Sequence, residues 1–233
     1  MASTLCAALF LGACAKGAPE AGSADWNRRL ERGDVIIDAR DIPSTGLKLA
    51  TVTAVVDAPP PVVWEVFQDA GEFRRFLYQV KDSAELERRD GNRYFRISIE
   101  PDALARMVTG DITFTAEISE VVDTQAGVWR GDFTGIEGNV ERVYGAWRLE
   151  TYSNNRTLVQ FSTFIDLGYP GTIDLTVNSY TANLLGHWAD DLRDYVRDRG
   201  VRMDLEQRAA ARAAGKYDQP VTPMVEGLDD LMR

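Results

Sequence analysis

The sequence predicts a protein of the α+β class, with a curved antiparallel sheet wrapped around a long C-terminal helix and two short helices after an early strand. Five segments between residues 95 and 165 alternate apolar and polar residues, which is typical of strands that bury one face. After residue 171 the apolar residues recur every three or four positions, which predicts a long amphipathic helix. Three prolines at 59–61 separate the early strand from the short helices.

Seven strands are predicted before residue 166, two early ones and the five alternating segments. Residues 34–42 and 46–58 are rich in Val, Ile and Thr and predict two early strands. Asp90-Gly91-Asn92 and Ser153-Asn154-Asn155 are typical of hairpin turns. The inward positions of the five later strands are expected to be Phe95, Ile97, Ile99, Ile112, Phe114, Ala116, Ile118, Trp129, Phe133, Trp147, Leu149, Thr151, Val159, Phe161, Thr163 and Ile165.

Two short helices are expected after the prolines, joined at Gly71. Trp64 and Phe67 belong to the first, and Phe73 and Phe76 to the second. The segment carries much apolar surface and no catalytic motif, so the aromatic residues are interpreted as supports that wedge the short helices under the long one. Burying each large side chain stabilises such an arrangement by about 1.5–3 kcal/mol.

The long helix is expected to end at Gly200, at a length of roughly 40 Å. Its apolar face carries Ile173, Val177, Tyr180, Leu184, Trp188, Leu192 and Val196. A folded domain is therefore predicted over residues 26–200. Residues 201–233 are predicted to be a polar tail that begins as an Ala-rich helix and then becomes disordered.

The N-terminal residues are typical of a targeting signal rather than of a folded element. Residues 1–14 contain a short apolar run that ends in Leu11-Gly12-Ala13-Cys14, which is similar to a bacterial lipobox. Cys14 is then the acylated residue, residues 15–25 form a flexible tether, and the protein is attached to the periplasmic face of the bacterial cell envelope. An ordinary cleaved signal and an uncleaved apolar N-terminus are the alternatives.

Composition excludes several classes of function. The formal net charge of −10 argues against a nucleic-acid partner, which requires a basic face. The chain has two cysteines, both within the first 14 residues, and one histidine, so neither a thiolate nor a multi-histidine metal site is expected in the folded domain. Phosphate-binding glycine motifs are absent from the sequence, and no cofactor is predicted.

The predicted layers leave a space whose content the sequence does not fix. A twisted sheet diverges from a straight helix, so their apolar faces cannot stay in contact along their whole length. Side chains either fill this space as a solid core or leave it open as a pocket. Large aromatic residues with a few hydroxyl groups are typical of the walls of a pocket for a lipid-like ligand.

Local sequence favours the pocket through a family resemblance. DAPPPVVWEVFQDAGEFRRFL, DGNRYFRI, YGAWRLE, TLVQFSTFIDLG and YPGTIDLTVNSYTANLLGHWADDLR occur in the order and spacing of a helix-grip domain. Over about residues 26–199 the chain resembles START-type lipid-transfer and polyketide-cyclase/coenzyme-Q-binding-like domains of the SRPBCC superfamily. The resemblance implies a helix-grip fold that holds a hydrophobic small molecule or lipid.

The candidate ligand-binding residues are those that the helix-grip fold turns inward: Phe95, Ile97, Phe114, Trp129, Phe133, Trp147, Thr151, Phe161, Thr163, Val177, Tyr180, Leu184 and Trp188. The predicted function is binding or transfer of a lipid, sterol or quinone, without catalysis. One alternative is a cyclase or dehydratase that uses Thr151, Thr163, Tyr180 or the neighbouring pair His187 and Asp191. The other is a protein-interaction module with a filled core. Gly131, Gly135 and Gly138 are expected to make a mobile hairpin near the cavity mouth.

Overall fold

The structure, a computed structural model, describes residues 18–43, 45–102, 106–107, 109–153, 155–168 and 174–216. The predicted signal segment with Cys14, the first part of the tether and residues 217–233 lie outside the described residues. The strands are β1 (Ile36–Asp41), β2 (Lys48–Val56), β3 (Val80–Arg89), β4 (Asn92–Ile99), β5 (Ile112–Asp123), β6 (Val128–Gly138), β7 (Arg142–Ser153) and β8 (Arg156–Asp166). The α-helices with defined bounds are α1 (Ala24–Glu31), α2 (Pro60–Phe67), α3 (Phe73–Phe76), α4 (Asp174–Arg197) and α5 (Arg199–Ala213).

All eight strands form one antiparallel, curved and unclosed sheet in the order β1-β2-β8-β7-β6-β5-β4-β3. Helix α4 lies across β1, β2 and β8, and α2 lies against β6, β7 and β8. The main hydrophobic core lies between the helices and the concave face of the sheet. The predicted α+β helix-grip fold is confirmed.

The prolines at the start of α2 and the hairpin turn at Asp90-Gly91 have the predicted backbone conformations. Pro59 precedes α2 with an extended backbone, and Pro60 occupies its first turn, where a missing N–H costs nothing. Asp90 and Gly91 adopt φ angles of +54° and +84°, as a tight hairpin turn requires. Gly71 lies in the 3-10 turn Ala70–Glu72 that joins α2 to α3.

Strand β3 is the element that the alternation pattern did not reveal. It forms one edge of the sheet, and most of its side chains are exposed. An exposed edge strand rich in charge needs no apolar face, and its charges discourage pairing with other chains. The hairpin turn at Asp90 was the one local sign of its presence.

The C-terminal helix is interrupted where the sequence predicts continuation to Gly200. Helix α4 ends at Arg197, and the Asp198 carboxylate accepts hydrogen bonds from the backbone N–H groups of Gly200 and Val201, which starts α5. Helix α5 then packs against α2. Packing therefore continues beyond the domain boundary predicted at residue 200.

A buried carboxylate joins α5 to α2. Glu65 is 1% exposed, and its two oxygens lie 2.6 and 3.1 Å from the Nε and Nη2 atoms of Arg212. Leu205 and Ala209 are buried at the same interface. This pairing satisfies a charge that would otherwise be costly to bury.

The N-terminal end of the described chain is also folded. Ser23 caps α1 by accepting a hydrogen bond from the Trp26 backbone N–H, so Ala24 and Asp25 belong to a helix rather than to the predicted tether. Trp26 and Leu30 pack against Ile36 and Val55. No helix among the described residues is both long and apolar enough to cross a bilayer.

Candidate ligand-binding cavity

A cavity lies between the concave face of the sheet and helices α2, α3 and α4. Its volume is about 60 Å³, smaller than the roughly 150 Å³ of an engineered apolar cavity that binds benzene. The lining residues are Val52, Ala54, Val56, Val66, Phe67, Phe73, Phe76, Leu77, Phe95, Ile97, Ile99, Phe114, Phe133, Trp147, Val159, Phe161, Thr163, Ile165, Leu184, Leu185, Trp188, Ala189 and Leu192. The interior is therefore neither completely filled nor large enough, as it stands, for a long lipid.

Most of the candidate residues predicted from the sequence come together here. Those that line the cavity are Phe95, Ile97, Phe114, Phe133, Trp147, Phe161, Thr163, Leu184 and Trp188. Val177 and Tyr180 instead line a second cavity of about 10 Å³, beside Ile112 and Thr181. Helix α4 is longer than the main cavity, so its first turns cover a different part of the sheet.

The two remaining candidates are not on the cavity wall. Trp129 is buried in the main core near the start of β6 and does not line the cavity. Thr151 is exposed near the end of β7. Strand alternation predicts the face that a side chain occupies but not how far along the strand the covering helices extend.

The sequence analysis missed the part of the wall that comes from the early elements. Strand β2 contributes Val52, Ala54 and Val56 to the wall. These apolar residues occupy every second position, so the sequence could have predicted that they face inward. The sequence predicts that Phe67 and Phe76 are structural supports, and both pack into the main core, with the Phe76 ring stacked 4.1 Å from that of Tyr195 on α4. Both also line the cavity, which the sequence did not predict. Helical spacing identified these side chains as buried without showing that a space lies beside them.

The wall is held by a stack of aromatic rings centred on Trp147. Its ring centroid lies 5.2 Å from that of Phe67, 5.9 Å from that of Phe133 and 6.2 Å from that of Phe161, with interplanar angles of 15–24°. Gly131, directly opposite Trp147 on β6, makes this possible, because an ideal Cβ there would lie 2.4 Å from Trp147 Cε2. The glycine series in the β6–β7 hairpin therefore has a packing role, in addition to any mobility.

Polar groups at the cavity wall are few and mostly committed to the protein. Among the described lining residues, Thr163 is the only one with a hydroxyl, and that hydroxyl donates to the Tyr144 carbonyl at 3.1 Å. Trp188 Nε1 donates to the Tyr78 carbonyl at 2.9 Å. The surface offered to a ligand is therefore almost entirely carbon.

A turn after α3 closes one side of the cavity and is fastened to α4. Phe76 and Leu77 line the cavity, and the next residue, Tyr78, donates its backbone N–H to Asp191 Oδ2 at 2.6 Å. The Tyr180 hydroxyl donates to Gln79 Oε1 at 2.7 Å. We call residues 76–79 the covering turn, since its release would open the cavity on this side.

The predicted pair of His187 and Asp191 lies at this covering turn rather than in the cavity. The exposed His187 ring is 4.4 Å from the Tyr78 ring, centroid to centroid. Burial raises the pKa of the Asp191 carboxyl, against the opposing effects of the Tyr78 N–H and His187. Burial also raises the pKa of the Tyr180 hydroxyl above its ordinary value. In the described residues no group of three His, Cys, Asp or Glu side chains is arranged to hold a metal ion.

Comparison with protein families agrees with this architecture. The model for polyketide cyclase / dehydrase and lipid transport proteins matches residues 56–177, and the chain belongs to this family. It thus lies within the START/SRPBCC superfamily. No curated protein matches the chain.

Solved structures share the fold at low sequence identity. The STAR-related lipid transfer protein from Xanthomonas axonopodis has a TM-score of 0.60 and 15% identity over 70% of this chain and 94% of that one. Human STARD10 has a TM-score of 0.61 and 8% identity over 80% and 79% of the two chains. Human StAR-related lipid transfer protein 5 has a TM-score of 0.55 and 16% identity over 70% and 81%.

Proposed function

We propose that this protein binds a hydrophobic ligand in the main cavity and carries it without changing it chemically. The observation that carries the proposal is the wall itself, a partly enclosed space lined by carbon with one hydroxyl that is already hydrogen-bonded. Such a wall gains free energy from displaced water and offers little to a polar reaction centre. The lipid-transfer proteins among its structural neighbours support the same class of ligand.

Binding requires the cavity to expand. Each Å² of apolar surface removed from water contributes about 25 cal/mol, so a ligand larger than the present space can drive the lining rings apart. The covering turn is the expected place of entry, because it joins the wall to the surface and is held to α4 by individual hydrogen bonds rather than by a strand ladder. Rearrangement there leaves the eight-stranded sheet intact.

The absence of catalysis is part of the proposal. The hydroxyls of Thr163 and Tyr180 are both engaged within the protein, and His187 lies outside the cavity. A cyclase or dehydratase needs acidic or basic groups that converge on its substrate. Replacing His187 and Tyr180 together by Phe is therefore expected to leave any ligand chemically unchanged and still bound.

Native mass spectrometry of the gently purified full chain tests the binding function. The expected result is a bound lipid, sterol or quinone, recovered after denaturation with the same mass as in the host extract. Incubation of the delipidated protein with a panel of phospholipids, fatty acids, sterols and quinones should extract at least one of them. Failure to retain or extract any member of the panel would overturn the proposal, and a product of altered mass would favour the enzyme alternative.

The proposed site of action is the periplasmic face of a bacterial membrane, with the domain attached through acylated Cys14. Leu11-Gly12-Ala13-Cys14 supports this attachment. Labelling cells with an alkyne-bearing palmitate should mark the wild-type protein and the Cys6→Ala variant equally, whereas Cys14→Ala should remain unlabelled and leave the membrane fraction. Labelling of Cys14→Ala, or none of the wild type, would contradict the anchor without affecting the cavity.

A further inference from the structure

A group of buried polar side chains lies directly behind the inner wall of the cavity. Glu120 on β5 is 1% exposed, and Gln68, just after α2, is 6% exposed. Gln68 Nε2 donates to Glu120 Oε1 at 2.8 Å, and Arg93 Nη1 donates to the same oxygen at 2.6 Å. Arg93 also donates to the backbone carbonyls of Phe67 and Gln68, so the network is fixed to the end of the helix that supplies the cavity wall.

This group contains hydrogen-bonding atoms that no described residue satisfies. They are Glu120 Oε2 and Gln68 Oε1, which are acceptors, and the indole Nε1 atoms of Trp147 and Trp64, which are donors. An unpaired buried polar group costs about 1–3 kcal/mol, so several in one place call for a partner that donates and accepts. Trp64 and Gln68 are four residues apart and lie along the same side of α2 and its C-terminal turn.

Sheet register brings the Trp147 donor towards the Glu120 acceptor. Gly131 is paired with Glu120 on one side and with Trp147 on the other. Trp147 Nε1 lies 2.5 Å from the position of an ideal Cβ on Gly131. Opposed Cβ atoms in neighbouring strands are about 4.5–5.5 Å apart, so the Nε1 atom lies over the glycine, one strand position from Glu120.

We propose that this corner, made by Gln68, Glu120 and Trp147, is a subsite for a single hydroxyl group on an otherwise apolar ligand. A hydroxyl donates one hydrogen bond and accepts others, so it can donate to Glu120 Oε2 or Gln68 Oε1 while it accepts from Trp147 Nε1. A ketone or an ether lacks the donor, and a carboxylate would meet the charge of Glu120. The apolar body of the ligand lies in the cavity, and the Phe67 ring moves away from Trp147 to admit its polar end.

This inference rests on the proposed function, since it specifies which hydrophobic ligand the same cavity prefers. It selects aliphatic alcohols, sterol-like alcohols and phenols over hydrocarbons and esters. A site whose buried groups are matched to a hydroxyl discriminates strongly against analogues that lack it, because the protein groups are then left unpaired.

Equilibrium dialysis of the delipidated full chain against 2-naphthol, naphthalene and 2-methoxynaphthalene tests the subsite. The wild type is expected to bind 2-naphthol at least as tightly as naphthalene, despite the cost of removing a hydroxyl from water. In the Gln68→Met/Trp147→Phe double variant, the preference for 2-naphthol over naphthalene should fall by about tenfold or more. Because Trp147 also lines the cavity, the double variant should lose affinity for naphthalene and for 2-methoxynaphthalene by one common factor, so that the ratio of these two affinities stays as in the wild type.

Trp26→Phe is the matched control, because it removes an indole N–H from a separate core cluster. It should leave the preference for 2-naphthol unchanged. Equal preference in the wild type and the double variant would overturn the subsite and leave a buried water, not a ligand, as the partner of these atoms. Failure of all three compounds to bind to the wild type would count against the proposed function itself.

Discussion

The indole ring of Trp147 lies nearly parallel to the phenyl ring of Phe67, with centroids 5.2 Å apart and planes inclined by 15°. This contact joins the centre of the sheet to α2 and forms the inner wall of the cavity. Aromatic pairs of this kind contribute about 0.5–1.5 kcal/mol beyond the burial of their surface. The position of Trp147 therefore couples the stability of the fold to the shape of the cavity.

Gly131→Ala should destabilise the protein by about 1–3 kcal/mol, because the new methyl group meets the Trp147 ring. Trp147 cannot move aside easily, since Phe133 and Phe161 pack against it. Urea unfolding measured by circular dichroism gives the change in the free energy of unfolding. Ligand affinity should fall as well, because the new methyl group distorts the ring stack that forms the cavity wall.

Gly186→Ala is the control for this prediction. Gly186 lies within α4, and its ideal Cβ meets only the flexible tip of Ile37, at 3.2 Å. Alanine stabilises a helix interior by about 1 kcal/mol relative to glycine, so this variant should be neutral or more stable. Equal stability of Gly131→Ala and the wild type would show that the ring can relocate freely.

Ala189→Leu should block the cavity without unfolding the protein. Ala189 is a buried residue of α4 on the cavity wall, and the added carbon atoms occupy space that is open in the wild type. Affinity for naphthalene should fall by about tenfold or more, a loss of at least about 1.4 kcal/mol. The exposed residue Ala210 on α5 supplies the control, since Ala210→Leu makes the same chemical change far from the wall. If both variants bound equally well, the ligand would have to lie elsewhere.

Arg193→Met should destabilise the fold by about 2–4 kcal/mol. The buried guanidinium donates to the Val55 and Gly33 carbonyls at 2.9 Å and to the Asp34 carbonyl at 3.3 Å, which fastens α4 to the start of the sheet. Methionine preserves the packing of the stem but leaves these carbonyls without donors. Arg193→Lys should recover only part of the loss, because a single ammonium cannot reproduce the planar fork. A loss below about 0.5 kcal/mol in urea unfolding would show that water replaces the guanidinium.

The sequence predicts a helix or strand of this fold well where one face of the element is exposed to solvent and the other is buried. Strands β4 to β8 alternate because their concave face packs into the core, and the inward positions Phe95, Phe114 and Phe161 follow from that pattern. Strand β3 has no buried face over most of its length, so its residues do not alternate between apolar and polar. The helix breaks at Asp198 because the Asp198 carboxylate caps the N-terminus of α5, which the apolar pattern of the sequence does not indicate.

The cavity is harder to predict because it depends on where separate elements stop covering one another. Leu184 and Trp188 face it while Tyr180, on the same stripe of α4, faces a smaller space. The polar corner was not predicted, since Gln68, Glu120 and Trp147 lie on three elements that are distant in sequence. Glu120 stands in an inward position of β5, and a charged residue within an apolar series is the signal that could have marked it.

Asp191→Asn should make the protein more stable at neutral pH. Burial raises the pKa of the Asp191 carboxyl above its ordinary value of 3.8, so the folded state favours the protonated form. Such a group contributes stability that is fully present below pH 3.8 and is lost as the pH rises through the folded-state pKa. Asparagine stays neutral throughout this range and retains an oxygen that can accept from the Tyr78 N–H.

The advantage of Asp191→Asn over the wild type should therefore be present at pH 7 and shrink as the pH falls towards 3.8, when the wild-type carboxyl is protonated. Urea unfolding at a series of pH values from 7 down to 3.5 measures this difference directly. Asp194→Asn removes the same charge from a side chain that is 78% exposed, so it separates the effect of burial from that of net charge near the end of α4. A lower stability of Asp191→Asn at pH 7, with Asp194→Asn unchanged, would mean that the ionised carboxylate holds the covering turn more strongly than its burial opposes it.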